Sequence, residues 1–297
     1  MDFKQIEAFV NVVKYKSFSK AADALYLSQP TISTHINTLE NELGVQLIDR
    51  RGKEALPTQQ GSVLYKYGVT MINVREKAVL SMSNSARQIG GVLEIQASSV
   101  PGEYIVPALI SKFRELHPRV KFYLEQSDSS TVEDNLLAQK GEIGFMGHKA
   151  GGGLCCERLA VDQMVLVTPN NEKYQAMKGR KIAFSEIGNE PFLWREQGSA
   201  TRREFEEKIE AMGCNPKQIN VVARMNSMEA IKQAVGCGLG VSIVSRMSVE
   251  DQPDQRLLTF EIQDVNFDRE FYLVWNKNIP ISATAEAFRN FALEEYR

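Results

Sequence analysis

Apolar residues Phe3, Ile6, Phe9, Val10 and Val13 recur at spacings that keep them on one side of a helix, which is predicted to run from Asp2 to about Tyr15. The segment SFSKAADALYL predicts a second helix, with Ser17 or Ser19 suited to the N-cap and Phe18, Ala21, Ala22 and Leu25 facing inward. The paired alanines allow a close, steep helix crossing. Ser28 then caps a third helix that tolerates Pro30 in its first turn and ends at Gly44. Its inner side carries Ile32, Ile36, Leu39 and Leu43. Pro30, Ser33, Thr34, Asn37 and Asn41 lie opposite, with Gln29 at the tip. VQLIDRRGKEALPTQQG reads as strand, turn and strand, with Arg50, Arg51 and Lys53 surrounding Gly52 at the tip.

Residues 59–89 hold no proline and follow Thr58, a suitable cap. Leu64, Tyr67, Met71, Val74, Ala78 and Met82 form a near-heptad row, which suits a helix paired with a copy of itself. Packing on its own domain is the alternative. Gly90-Gly91 break the helix. The pattern then changes to strands (VLEIQAS, VKFYLEQS, EIGFMGH) alternating with helices (YIVPALISKFRELHP, STVEDNLLAQKG), and RKIAFSEIG through EFYLVWN continues it. SATAEAFRNFALEEYR closes the chain as a helix. This alternation predicts a parallel sheet covered by helices, in two lobes around a cleft.

Composition supports a folded chain of more than one domain. Its 297 residues suggest two or three, and the charged and hydrophobic fractions are ordinary. No stretch is long and apolar enough to cross a bilayer. MDFKQIEAFVNVV lacks the basic start of a secretion signal, and Cys155, Cys156, Cys214 and Cys237 match neither a zinc set nor a disulfide framework. A cytoplasmic protein without membrane contact is expected. Residues 1–90 hold 11 Lys+Arg against 8 Asp+Glu, and the remainder 24 against 29, so a mildly basic head joins an acidic body.

Three short helices, the third with a small-polar outer face, fit a helix-turn-helix. A three-helix domain with a merely solvated face is the alternative for the helices alone; the basic wing that follows argues against it. Gln29, Thr31, Ser33, Thr34 and Asn37 are then candidates to meet base edges, with Pro30 at the helix start. Ser17, Ser19, Arg50, Arg51 and Lys53 are candidates for phosphates or a minor groove.

SFSKAADALYLSQPTISTHINTLENELGVQLIDRRGKEALPTQQG resembles the head of the LysR-type transcriptional regulators, with departures at Ile48, Pro57 and Thr34. Many members carry arginine at the last of these, so that family's arginine-to-guanine contact is absent. The resemblance continues more loosely through GVLEIQASSVPGEYIVPALISKFRELHPRV, WREQGSATR and AVGCGLGVSIVS. It implies an all-α winged head at 1–58, a linker and dimerisation helix at 59–90, and a periplasmic-binding-protein-like α/β effector domain at 91–297. Lobe I would span about 91–160 and 266–297 and lobe II about 161–265, with the hinge near 148–165 and 264–268. Implied partners are double-stranded operator DNA, a second copy in a dimer or tetramer, and a small effector; RNA polymerase is a further candidate.

Ligands of open α/β sheets bind beyond the carboxyl ends of strands. Ser98, Ser99, Ser129, Ser130, Gly147, His148, Ser199 and Thr201 are therefore candidate effector residues. Arg195 or Arg202 would clamp a carboxylate or oxyanion. WREQGSATR and EAIKQAVGCGLGVS look closest to members that sense sulfur, carbon-fixation or other anionic metabolites. A body that only scaffolds an oligomer is the competing reading. The scattered histidines form no metal site, the glycines around Cys237 do not follow dinucleotide-binding order, and no nucleophile elbow or catalytic set occurs, so neither cofactor nor enzymatic activity is expected.

Overall fold

Asp2 begins α1 (Phe3–Tyr15) by accepting the Gln5 N–H while the Gln5 side chain takes the Asp2 N–H, a reciprocal cap. In α2 (Phe18–Leu25) the cap is Ser17, not Ser19, and in α3 (Gln29–Leu43) it is Ser28, with Pro30 in the first turn and Gly44 at φ 67° as the stop. The computed structural model describes residues 1–52, 54–82, 89–250, 254–263 and 266–297. Two units result, Met1–Gln88 with Asn278–Ala283, and Ile89–Lys277 with Thr284–Arg297.

In the first unit Ile6, Phe9, Val12, Ala21, Ala22, Ile32, Ile36 and Leu39 share one core. Each fully buried aliphatic side chain there contributes about 1.5–3 kcal/mol. Phe3 and Leu43, expected on inner faces, are exposed because both lie at helix ends beyond the crossing. The Phe3 ring instead lies under the Arg75 guanidinium, 5.4 Å away. β1 (Ile48–Asp49) pairs antiparallel with β2 (Leu56–Pro57) to make the wing.

Helix α4 (Gln59–Met82) starts where Thr58 Oγ1 accepts the Gly61 N–H and donates to the Gln46 carbonyl. The expected apolar row divides. Leu64 and Met71 pack on the head core together with Tyr65, Val69 and Ile72, whereas Tyr67, Val74, Ala78 and Met82 are exposed, as is Val63. The last residues of the expected helix, 83–88, lie outside the described residues.

The second unit opens with β3 (Gly91–Ser98), a π-helical turn (Pro101–Ile105), α5 (Val106–Leu116), β4 (Val120–Ser127), α6 (Ser129–Leu137) and β5 (Ile143–Met146). β6 (Leu154–Pro169) follows, then α7 (Glu172–Gln175), α8 (Phe184–Ile187), β7 (Phe192–Arg195) and α9 (Ala200–Ala211). After a 3-10 turn (Pro216–Gln218) come β8 (Val221–Met225), α10 (Met228–Gly236), β9 (Ser242–Ser245) and α11 (Met247–Glu250). β10 (Leu257–Phe260), β11 (Asp268–Asn276) and α12 (Ala283–Glu295) end it.

The sheet is mixed, not parallel as expected. β3 runs parallel to β4 and β5, but β11 is antiparallel to β5 and β6, and β6 is antiparallel to β9 and β10. The segment expected to be a hinge is largely β6, a strand of 16 residues. From Leu154 to Gln163 it pairs with β11, and from Met164 onward with β9 and β10. This change of partner divides the unit into two lobes. Phe113, Phe145 and Phe288 meet edge-on in the first, and Phe192, Trp194 and Phe205 cluster in the second. The stretch 180–188 supplies only an isolated bridge at Ile182 and the short α8.

Gly61 admits no side chain, because a Cβ there would lie 2.0 Å from the Leu47 carbonyl oxygen. Gly61→Ala is expected to lower the stability of the head by about 1–3 kcal/mol. Faster hydrogen exchange of the α1 and α3 amides would report it, and unchanged exchange would contradict this packing.

Candidate DNA-binding face and effector cleft

On α3, Gln29, Pro30, Thr34 and Asn37 are exposed, while Thr31 and Ser33 are half-buried. Their groups are partly engaged. Gln29 Nε2 donates to Ser33 Oγ at 3.2 Å, Thr34 Oγ1 to the Pro30 carbonyl at 2.9 Å, and the Ser28 and Thr31 hydroxyls share a bond of 2.8 Å. Ser17 is occupied as the α2 cap, accepting the Lys20 N–H, and Ser19 is exposed.

The wing arginines are not free charges. Arg50 Nη2 folds back onto α3, donating to Asn37 Oδ1 at 2.6 Å and Glu40 Oε2 at 3.0 Å, with its guanidinium 5.5 Å above the Phe18 ring. Arg51 grips Asp49 through Nε and Nη2 at 3.0 and 2.8 Å. Those bonds hold the Asp49 carboxyl down at about 2 and raise Arg51. Lys53 lies outside the described residues. Glu40, not singled out from the sequence, ties wing to helix, since its Oε1 accepts the Leu47 and Ile48 N–H groups at 2.7 and 3.1 Å.

In the body, the ends of β3, β5 and β7 and the first turns of α6 and α9 converge on an open cleft. Ser98, Ser99, Ser129, Gly147, Arg195, Ser199 and Thr201 line it, as expected. Ser130 and His148 do not. Ser130 uses its N–H on Asp128, the α6 cap. His148 sits 3.7 Å from Glu133, and burial, reinforced by Arg203, pushes its imidazole below the usual pKa. Arg202 turns to Glu206 at 2.8 Å and stands over Trp194.

The cations of the cleft are already matched. Arg195 donates to Glu196 through Nε and Nη2 at 2.8 and 2.9 Å, and Nη2 also reaches Ser99 Oγ at 2.9 Å, joining the two lobes. A fork that the sequence offered to a ligand is thus held by a neighbouring carboxylate. Arg269, which no motif marked, is buried on β11. It meets Asp162 at 2.8 Å and Thr201 Oγ1 at 2.7 Å, and Asp162 Oδ1 accepts from Ser245 Oγ at 2.9 Å. Burial pushes the Arg269 guanidinium down, against the pull of Asp162. The Ser129 hydroxyl is buried and has no hydrogen-bond partner among the described residues; Arg269 Nη2 likewise makes no hydrogen bond there, though it lies 2.7 Å from Asp162 Oδ2 as an ion pair. Cys155 and Cys156 lie in β6, and all four cysteines are unpaired.

Residues 3–62 match the model of the bacterial regulatory helix-turn-helix protein, lysR family, and residues 86–297 match the LysR substrate binding domain. The chain belongs to the LysR family of transcriptional regulators. It is 32% identical over 248 residues to the regulator CysL of Bacillus subtilis, spanning 83% of this chain and 81% of that one. It is 28% identical over 300 residues to the RuBisCO operon transcriptional regulator of Allochromatium vinosum, spanning 99% and 96%. A full-length OxyR variant from Pseudomonas aeruginosa has the same fold at a TM-score of 0.80 and 18% identity, over 98% and 93% of the chains. The regulatory domain of Synechocystis CcmR in complex with 2-PG matches at 0.64 and 18%, over 70% and 98%. The relatives and both domains are regulators, not enzymes: a helix-turn-helix for DNA precedes an effector-binding domain.

Arg269→Met leaves the Asp162 charge buried without its partner, and is expected to cost about 3–5 kcal/mol. Arg269→Met with Asp162→Leu is expected to recover most of that in urea unfolding. Equal losses in the single and double variants would show that the pair is not the source.

Proposed function

We propose that a small anionic metabolite binds between the lobes, against Ser98, Ser99, Ser129, Ser199, Thr201 and Arg195, and that its binding shifts a homo-oligomer between two arrangements of its DNA-reading heads. The observation that carries this is the unspent Ser129 hydroxyl, buried in a cleft where the first turns of α6 and α9 converge. Helix N-termini present partial positive charge and unpaired N–H groups, which suit a carboxylate or other oxyanion. With Arg195 and Arg269 each matched by a carboxylate, hydroxyls and N–H groups carry the recognition. One relative is by name a regulator of the RuBisCO operon, and a structural neighbour holds 2-PG, in keeping with an acidic effector.

On the head, Gln29, Ser33, Thr34 and Asn37 are proposed to read base edges, with Pro30 and Thr31 at the helix start and Ser17, Ser19, Arg50, Arg51 and Lys53 on phosphates. Arg50 and Arg51 exchange their carboxylates for phosphate on binding. The exposed row Tyr67, Val74 and Met82 supports pairing of the 59–90 helix with a second copy; our reading further assigns the head to 1–58, the body to 91–297 and the chain to the cytoplasm.

A thermal-shift screen of small sulfur-containing and organic acids is expected to find one that raises the melting temperature, an effect lost in Ser129→Ala and Ser99→Ala. If no acid stabilises the unmutated chain, the body is a scaffold. Gln29→Ala and Ser33→Ala are expected to weaken operator binding by about 1–3 kcal/mol each. Random DNA should be bound as before; unchanged discrimination would remove these residues from base reading. Arg51→Ala should reduce the slope of log affinity against log salt by about one.

A further inference from the structure

Helices α1 and α2 both end on a bulky residue in the left-handed region, Lys16 at φ 51° and Tyr26 at φ 55°. That backbone is strained for any residue with a Cβ, and helices commonly place glycine or asparagine there. At Lys16 the fold uses the residue. Its carbonyl accepts the Ala55 N–H at 3.0 Å, and its ammonium pairs with Glu54 at 3.4 Å. Tyr26 differs. Its N–H closes the cap onto α2, which any residue but proline would do, while its side chain is 96% exposed. Among the described residues that side chain has no hydrogen bond, ion pair or ring contact. Neither core packing nor the cap accounts for a phenol ring held in this backbone.

Its position does. Tyr26 and the exposed Leu27 form the turn between α2 and α3, directly before the Ser28 cap and the tip residue Gln29. We propose that Tyr26 contacts the sugar–phosphate backbone of duplex DNA beside the point where α3 enters the groove. The hydroxyl donates to a phosphate oxygen and the ring lies against deoxyribose. Tyrosine is one of the side chains that make such contacts, and with two side-chain torsions it is ordered at low entropic cost. The contact carries no sequence information: it sets how α3 is seated, and Gln29 and Ser33 do the reading.

Two substitutions of Tyr26 and one control test this on a short random-sequence duplex, which needs no knowledge of the operator. Tyr26→Asn keeps the cap and suits the left-handed backbone, so its melting temperature is expected to equal or exceed that of the unmutated chain. Its duplex affinity should fall about tenfold, the worth of one hydrogen bond to a charged acceptor. Tyr26→Phe, keeping the ring, should fall between the two. Tyr123→Asn, removing an exposed phenol from β4, should bind as the unmutated chain does. Unchanged affinity in Tyr26→Asn overturns the proposal. So does a lowered melting temperature or an altered oligomer mass in that variant, since either shows the ring packed on protein instead of DNA.

Discussion

A guanidinium taken out of water must keep a counter-charge at hand, and in the body of this regulator that requirement is met where β6 and β11 run side by side. Arg269 on β11 is held by Asp162 on β6, and from there the bonds spread to Thr201 at the start of α9 and Ser245 on β9. Four segments that are far apart in the chain are thereby fixed around one buried charge pair. The cleft between the lobes inherits its geometry from this knot, because Thr201 and Arg269 are themselves part of its wall.

The same economy of charge governs the head. Glu40 receives two N–H groups at the start of the wing with one carboxylate oxygen and the Arg50 guanidinium with the other, so α3 and the wing are tied together. Arg51 is gripped by Asp49. These surface pairs are weak in water. In the proposed DNA complex a phosphate would take the place of these carboxylates, which orient the arginines beforehand.

In the cleft the balance differs. The arginines present are each ion-paired with a carboxylate, and Asp128 caps the first turn of α6. Among the cleft hydroxyls, Ser99, Ser199 and Thr201 already accept hydrogen bonds, and Ser129 at the start of α6 has no partner among the described residues.

Much of this was legible in one dimension. Capping serines at 17 and 28, the alanine pair, the Ile32–Leu39 row and Gly44 specify the head, because helix signals are local and the chain carries them in order. The strand-tip serines and Arg195 were likewise placed near a cleft by the alternation of elements alone. Where neighbours distant in sequence decide, the reading failed. The family resemblance implied a hinge near 148–165, but not that the segment is one long strand, β6, which changes partners midway between the lobes. The sheet became mixed because β11 returns from the far end of the chain. Ser130 and His148 sit beside the right strands but turn elsewhere, Ser130 into a cap and His148 toward Glu133. Arg269 and Glu40 looked like ordinary charges on the page. Sequence determined which residues could bind DNA or a small acid; only tertiary structure decided which charges were already matched, since a partner across the fold leaves no trace in local spacing.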